Sequence, residues 1–266
     1  MFIGLDLGTS GLKAVLINES QAIVAEATAP LAAARPQPGW SEQDPATWLE
    51  AADAVMQALA AQVSLAQVAG IGLSGQMHGA TLLDADDTVL RPCILWNDTR
   101  SAVEAAELDA DPLFRALNGN IVFPGFTAPK LVWIARHEPE TFAKVARVLL
   151  PKDYLRLWLT GEAVAEMSDA AGTSWLDVGK RDWSDALLAA SGMTRAHMPR
   201  LVEGSEVSGT IRDALATRWG LPKGVIVAGG GGDNAASAVG VGVVTAGDAF
   251  VSLGTSGVLF AASDAY

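Results

Sequence analysis

Apolar side chains dominate residues 2–7 and again residues 12–17, and the two runs are separated by Gly8-Thr9-Ser10-Gly11. Two β-type runs around a short Gly-rich turn predict a hairpin. A third run, residues 22–27, follows the polar Asn18-Glu19-Ser20-Gln21. The chain therefore opens as an antiparallel meander, not as a strand-helix-strand unit. From Asp44, a cap-type residue, and Pro45, suited to the first helical position, Trp48, Val55, Leu59 and Val63 recur at helical spacing. That spacing predicts an amphipathic helix through Gln62. A strand-like Gly70-Ile71-Gly72-Leu73 follows, then residues 80–83 and 89–96 around the acidic turn Asp84-Ala85-Asp86-Asp87. Helical patterns near residues 100–110, 128–146, 152–159, 184–191 and 210–219 alternate with loops. Val225-Ile226-Val227-Ala228 reads as a short buried strand entering four glycines. The class is α/β with a mixed sheet.

One repeat stands out: Leu7-Gly8-Thr9-Ser10-Gly11 recurs as Leu253-Gly254-Thr255-Ser256-Gly257, and each copy lies between β-type runs. Matching flanks point to a duplicated hairpin of the nucleotide-binding kind. The chain then divides into residues 1–245, one domain, and residues 246–266, the first hairpin of a second domain whose remainder is absent from this sequence.

Half of the 266 residues are apolar, enough to bury a large core in one or two domains. The 18 Lys and Arg against 30 Asp and Glu leave a net charge of -12, which repels nucleic acid and anionic membranes. Neither is an expected partner. No signal-like start precedes Asp6, and apolar stretches are broken well short of the roughly 20 residues that cross a membrane, so the cytoplasm is the expected compartment. The single cysteine, Cys93, lies in the apolar run Cys93-Ile94-Leu95-Trp96 and reads as a packing residue.

Two strand ends can carry chemistry. Asp6 closes the first strand beside Gly8, Thr9 and Ser10, whose N–H and hydroxyl groups suit a phosphate, with Lys13 on the returning strand. A magnesium ion is served by one or two carboxylates plus nucleotide phosphates, and Asp6 fits that need. The same pattern also describes a plain hairpin turn. At the second end, Gly229 to Gly232 lead into Asp233 and Asn234. Glycines let a ligand approach closely, and Asp233 is placed either as a general base or as a helix cap. Gln76-Met77-His78 supplies amide, imidazole and thioether groups suited to a polyhydroxylated substrate, as does Trp96-Asn97-Asp98, although a lone His after a strand also serves structure. No His/Cys metal cluster and no nucleophile elbow with plausible partners is present in the sequence.

Taken in order and spacing, the two Leu-Gly-Thr-Ser-Gly copies, Ser74-Gly75-Gln76-Met77-His78-Gly79, Trp96-Asn97-Asp98, Pro151-Lys152-Asp153-Tyr154-Leu155 and Gly230-Gly231-Gly232-Asp233-Asn234 resemble the FGGY family of carbohydrate kinases, nearest its xylulokinase branch. The resemblance implies a ribonuclease H-like, actin/hexokinase-type ATPase fold, with ATP and Mg2+ as cofactors, D-xylulose as substrate, and room for a homodimer. By the same carry-over Asp233 takes the sugar's proton, and Asp6 and Asp233 attend the metal. Gln76, Met77, His78, Trp96, Asn97, Asp98 and Asn234 bind the sugar; Gly8, Thr9, Ser10, Lys13, Gly254 and Thr255 face the nucleotide. Ser252 stands where the first copy has Asp6. The sequence carries four glycines before Asp233 where the family pattern has three, which predicts a small adjustment of that loop. Another ketose or polyol kinase, a non-catalytic sugar-binding module and an actin-like assembly protein are the alternatives.

Overall fold

The computed structural model describes residues 1–253 and 257–265. Gly254 and Thr255 of the second phosphate-type turn lie outside the described residues.

The opening meander forms as the pattern predicts. Strand β1 (Phe2–Leu7) pairs antiparallel with β2 (Gly11–Ile17), and β2 with β3 (Ile23–Pro30). Along β1, Ile3, Leu5 and Leu7 are buried while Phe2, Gly4 and Asp6 face outward, the two-residue alternation of a half-buried strand. Helix α1 (Pro45–Gln62) starts where the cap signal places it, with Asp44 Oδ1 accepting from the Ala46 N–H at 3.0 Å. Its Trp48, Ala52, Val55, Met56 and Leu59 close over the buried face of β1 and β2. Strand β4 (Gly70–Gly75) then runs parallel to β1 on its other side.

Two helices finish that core. In α2 (Pro151–Thr160), Leu155 and Leu159 join it, and in α4 (Asp213–Trp219), Leu215 and Trp219 do; the one-turn α3 (Met167–Ala171) lies between them in sequence. Strands β5 (Val207–Thr210) and β6 (Ile226–Ala228) extend the sheet, which runs β5-β6-β4-β1-β2-β3. A two-residue strand β7 (Gly231–Gly232) also pairs with β4 and leads directly into helix α5 (Asp233–Gly240).

A second apolar core, built around Phe114, Leu131, Ile134, Trp175, Trp183 and Leu187, occupies the chain between β4 and β5. Here the structure departs from the sequence pattern. Residues 80–83 and 89–96 touch only through single bridges; Thr81–Leu83 pairs instead with Arg147–Leu149, and Cys93–Ile94 with Glu42–Gln43. The helical stretch read over 128–146 is two helices, Thr127–His137 and Pro139–Phe142. Pro139 lacks the N–H a continuing helix needs and forces Glu138 out of helical geometry. The last hairpin, β8 (Ala249–Leu253) with β9 (Gly257–Ala261), pairs within itself and not with the main sheet.

Candidate active site

Three parallel strands bring the sequence's candidates to one edge. Asp6 of β1 is level with Ser74 of β4, and Ser74 is level with Gly231 of β7. The next residues along these strands are the Gly8 turn, Gln76-Met77-His78 and Asp233. Ligands of open α/β sheets bind at such carboxyl ends.

The four glycines explain how Asp233 arrives there. Val227 pairs with Ile71 but Gly231 with Ser74, so one extra residue is absorbed as a bulge between β6 and β7. Gly230 takes it up at φ 78°, where a Cβ would lie 2.0 Å from the Leu73 carbonyl oxygen. Arg156, fully buried on α2, donates to the carbonyls of Ala228 at 2.7 Å and Gly229 at 2.5 Å, and the Gly232 N–H donates to Ser168 Oγ at 3.1 Å. A segment with little stiffness of its own is thereby pinned on both sides.

Asp233 is the first residue of α5, not its cap; Gly232 holds the cap position. Its Oδ1 accepts from the Asn234 N–H at 2.7 Å and from Asn234 Nδ2 at 2.9 Å, and Oδ2 accepts no hydrogen bond among the described residues. Desolvation raises its carboxyl above the usual range, and the nearby Asp6 charge adds to the rise. Asp6 is exposed to the space above the sheet, yet enough protein surrounds it that desolvation raises its carboxyl too, against the pull of Ser74 and Lys13. Lys13, opposite Asp6, pairs with Glu26 at 3.3 Å. Two carboxylates that desolvate and repel each other are relieved by a hard divalent cation, so Asp6 and Asp233 fit Mg2+. A magnesium ion needs no all-protein cage, because it keeps waters and phosphates as ligands.

His78 sits at φ 68°, in the left-handed region. Its Nδ1 lies 2.7 Å from the Gly172 carbonyl oxygen. A carbonyl only accepts, so Nδ1 carries the proton and Nε2 is left as an acceptor. Burial pushes the imidazole down to about 4, which keeps it neutral at physiological pH. The ring stacks on Phe126 with centroids 4.5 Å apart. Together with Trp96, Asn97, Thr99 and Phe123 it lines a cavity of about 300 Å3. The buried Asn97 Oδ1 has no partner among the described residues. Asp98 is 1% exposed, and its carboxylate is committed to the Ser41 N–H at 2.6 Å and to Arg100 at 2.7 and 2.9 Å. Met77 joins the two halves of the site: a Cβ on Gly232 would lie 2.9 Å from Met77 Sδ.

The Thr9 hydroxyl donates to Gln76 Oε1 and accepts from Trp96 Nε1, each at 2.9 Å. Gln43, Gln76 and Trp48 continue that network. It couples the turn near Asp6 to the wall of the His78 cavity. Gly8 N–H is used within the turn by Gly11, while Ser10 is exposed. A larger space of about 860 Å3 opens over the sheet, lined by Asp6, Lys13, Ser74, Ser168 and Gly231 among others. Sequence reasoning did not single out Phe126, Gly172, Ser168, Lys130 or Arg156. Lys130 left a readable signal, a cation inside the buried helix face that includes Thr127, Leu131 and Ile134.

Comparison with known proteins bears on this arrangement. Residues 1–240 match the model of the N-terminal domain of the FGGY family of carbohydrate kinases. Xylulose kinase of Escherichia coli (strain K12) is 57% identical, with 100% of this chain and 55% of that protein covered. Xylulose kinase of Bacillus subtilis (strain 168) is 41% identical, with 97% and 52% covered. The chain spans about half the length of the curated relatives it matches. Among solved structures, the xyloylose kinase of Brucella ovis superposes with a TM-score of 0.96 at 66% identity, covering 99% of this chain and 55% of that one. Xylulose kinase of Rhodospirillum rubrum superposes at 0.95 with 34% identity, covering 99% and 55%.

Proposed function

The chain belongs to the FGGY family of carbohydrate kinases, and from that premise we propose that it is the sugar-binding, base-carrying part of an ATP-dependent kinase that converts D-xylulose to D-xylulose 5-phosphate. The observation that carries the reading is the convergence of Asp6, Met77-His78 and Asp233 at the ends of three adjacent parallel strands. The similarity to xylulose kinases over the whole chain supports D-xylulose as the sugar. In this reading residues 1–245 form the first lobe and residues 246–266 begin a second, nucleotide-holding lobe, and the enzyme works in the cytoplasm.

The sugar lies in the His78 cavity, where Nε2 accepts from one of its hydroxyls and the unpartnered Asn97 Oδ1 accepts from another. Asp98 holds the loop that presents Asn97, through Ser41 and Arg100. The 5-hydroxyl reaches Asp233 Oδ2. That carboxylate accepts the hydroxyl proton as the oxygen attacks the γ-phosphorus, and the bond to the leaving ADP oxygen breaks. Asp6 and Asp233 are the residues that would hold Mg2+, whose charge would offset that of the transferring phosphoryl group. Ser10, Lys13 and the backbone of the Gly8 turn face the phosphates.

The reading is tested by ADP release from the full-length protein with D-xylulose, D-ribulose and glycerol in turn. Preference for D-xylulose in kcat/KM supports it, and turnover confined to glycerol would reject the sugar assignment.

A further inference from the structure

Lys130 is fully buried, yet no carboxylate lies within ion-pairing distance of it among the described residues. Its Nζ donates to the carbonyl of His78 at 2.8 Å and to that of Gly125 at 2.7 Å. Gly125 is pressed against Trp96, since a Cβ there would lie 2.1 Å from the Trp96 carbonyl oxygen. One ammonium therefore ties together the two segments that wall the 300 Å3 cavity. Thr127 Oγ1 adds a second donor to the His78 carbonyl, at 3.1 Å. The left-handed backbone of His78 is unfavourable for a residue with a Cβ and persists only where its surroundings enforce it.

We propose that Lys130 is a positioning residue for sugar binding, one that grips the His78 and Gly125 carbonyls at once and so holds the imidazole against the sugar cavity. The inference rests on the functional reading above. Without the grip His78 relaxes toward ordinary backbone, its ring leaves Gly172, and the acceptor meant for the sugar is lost.

The environment of the ammonium gives this role a pH signature. Burial lowers Lys130 to about 7, with Arg100 adding to the fall and Asp98 opposing it. Of the other groups facing it, His78 stays neutral down to about 4, and burial lifts the Cys93 thiol to about 11. Above about pH 7 Lys130 becomes a neutral amine and its hydrogen bonds lose their charge assistance. Sugar affinity should then weaken through neutral pH in the absence of any nucleotide.

The test is calorimetric titration of the full-length protein with D-xylulose between about pH 5.5 and about pH 8.5, for wild type, Lys130→Met and Thr127→Val. The expected wild-type Kd is level on the acid side and rises above pH 7. Lys130→Met should weaken binding about tenfold on the acid side, roughly the effect of losing one charged hydrogen bond, and should abolish the pH dependence. Thr127→Val should weaken binding less and keep the pH dependence. Wild-type affinity in Lys130→Met, with the rise above pH 7 intact, overturns the inference. Should Lys130→Met fail to fold, a level wild-type profile together with wild-type affinity in Thr127→Val overturns it equally. A wild type that binds no D-xylulose at any pH overturns the functional reading itself, and this inference with it.

Discussion

Acidification should weaken this fold through His78, and the size of the effect follows from where the ring sits. An unfolded histidine takes up its proton near 6.5, whereas burial holds the folded ring neutral down to about 4. Between those values the unfolded chain binds more protons than the folded one, so stability falls as pH falls through the window. The full gap corresponds to about 3 kcal/mol. At about pH 5 roughly 2 kcal/mol of it is already lost. The ring is partly open to its cavity, so water screens some of the penalty and the expected loss between about pH 7 and about pH 5 is roughly 1–2 kcal/mol. The control is His78→Asn, which does not titrate, tolerates the left-handed backbone and keeps an N–H donor for Gly172. Urea denaturation followed by tryptophan fluorescence should show the wild type losing that amount more than His78→Asn over the same pH change. Equal losses in the two proteins would refute the assignment of a buried, neutral His78.

Gly230→Ala should cost about 3 kcal/mol or more in urea denaturation, because the new methyl meets the Leu73 carbonyl oxygen at 2.0 Å and the backbone is left-handed. Gly224→Ala shares the left-handed backbone at φ 74° but meets nothing within 4 Å, so it should cost only about 1–2 kcal/mol; equal costs would show that the bulge is not tightly packed. Lys152, fully buried, lies 2.7 Å from Asp153, 3.4 Å from Asp169 and 3.6 Å from Glu166, and Asp169 is raised well above the usual carboxylate range by desolvation. Desolvation thus favours the neutral form of Asp169, and Asp169→Asn should change stability by less than about 1 kcal/mol while Lys152→Met costs about 3–5 kcal/mol, as thermal or urea unfolding would show. A reversed order would contradict that protonation state.

Sequence reading went furthest where local chemistry decides the structure. Helix α1 was legible to the residue, because Asp44, Pro45 and the recurring apolar positions all act within one segment. The β1–β2 hairpin was legible for the same reason, since its turn and both runs are contiguous. Where pairing is remote the pattern is silent. Thr81–Leu83 finds its partner at Arg147–Leu149, and Val164–Glu166 finds its own at Arg200–Val202. The helix Pro112–Asn118 was passed over even though Asp111 and Pro112 carry the same start signal as Asp44 and Pro45; its seven residues are too few to show a period. At the site, Asp6, His78 and Asp233 could be named because each lies at or just past a strand end. What holds them could not. The Gly172 carbonyl that fixes the His78 tautomer is 94 residues away in sequence, and Arg156 reaches the glycine run across 73. Asp98 looked available for a sugar, yet the Ser41 N–H, 57 residues distant, and Arg100 occupy its oxygens.

The role of Asp233 as the base of a sugar kinase is tested by sugar-dependent ADP release from the full-length protein carrying Asp233→Asn, measured at saturating D-xylulose, ATP and magnesium. The asparagine keeps the shape and cannot take the proton. Turnover should fall about a hundred- to ten-thousand-fold, with the KM for D-xylulose changed only a few-fold; turnover within a few-fold of wild type would show that Asp233 is not the base.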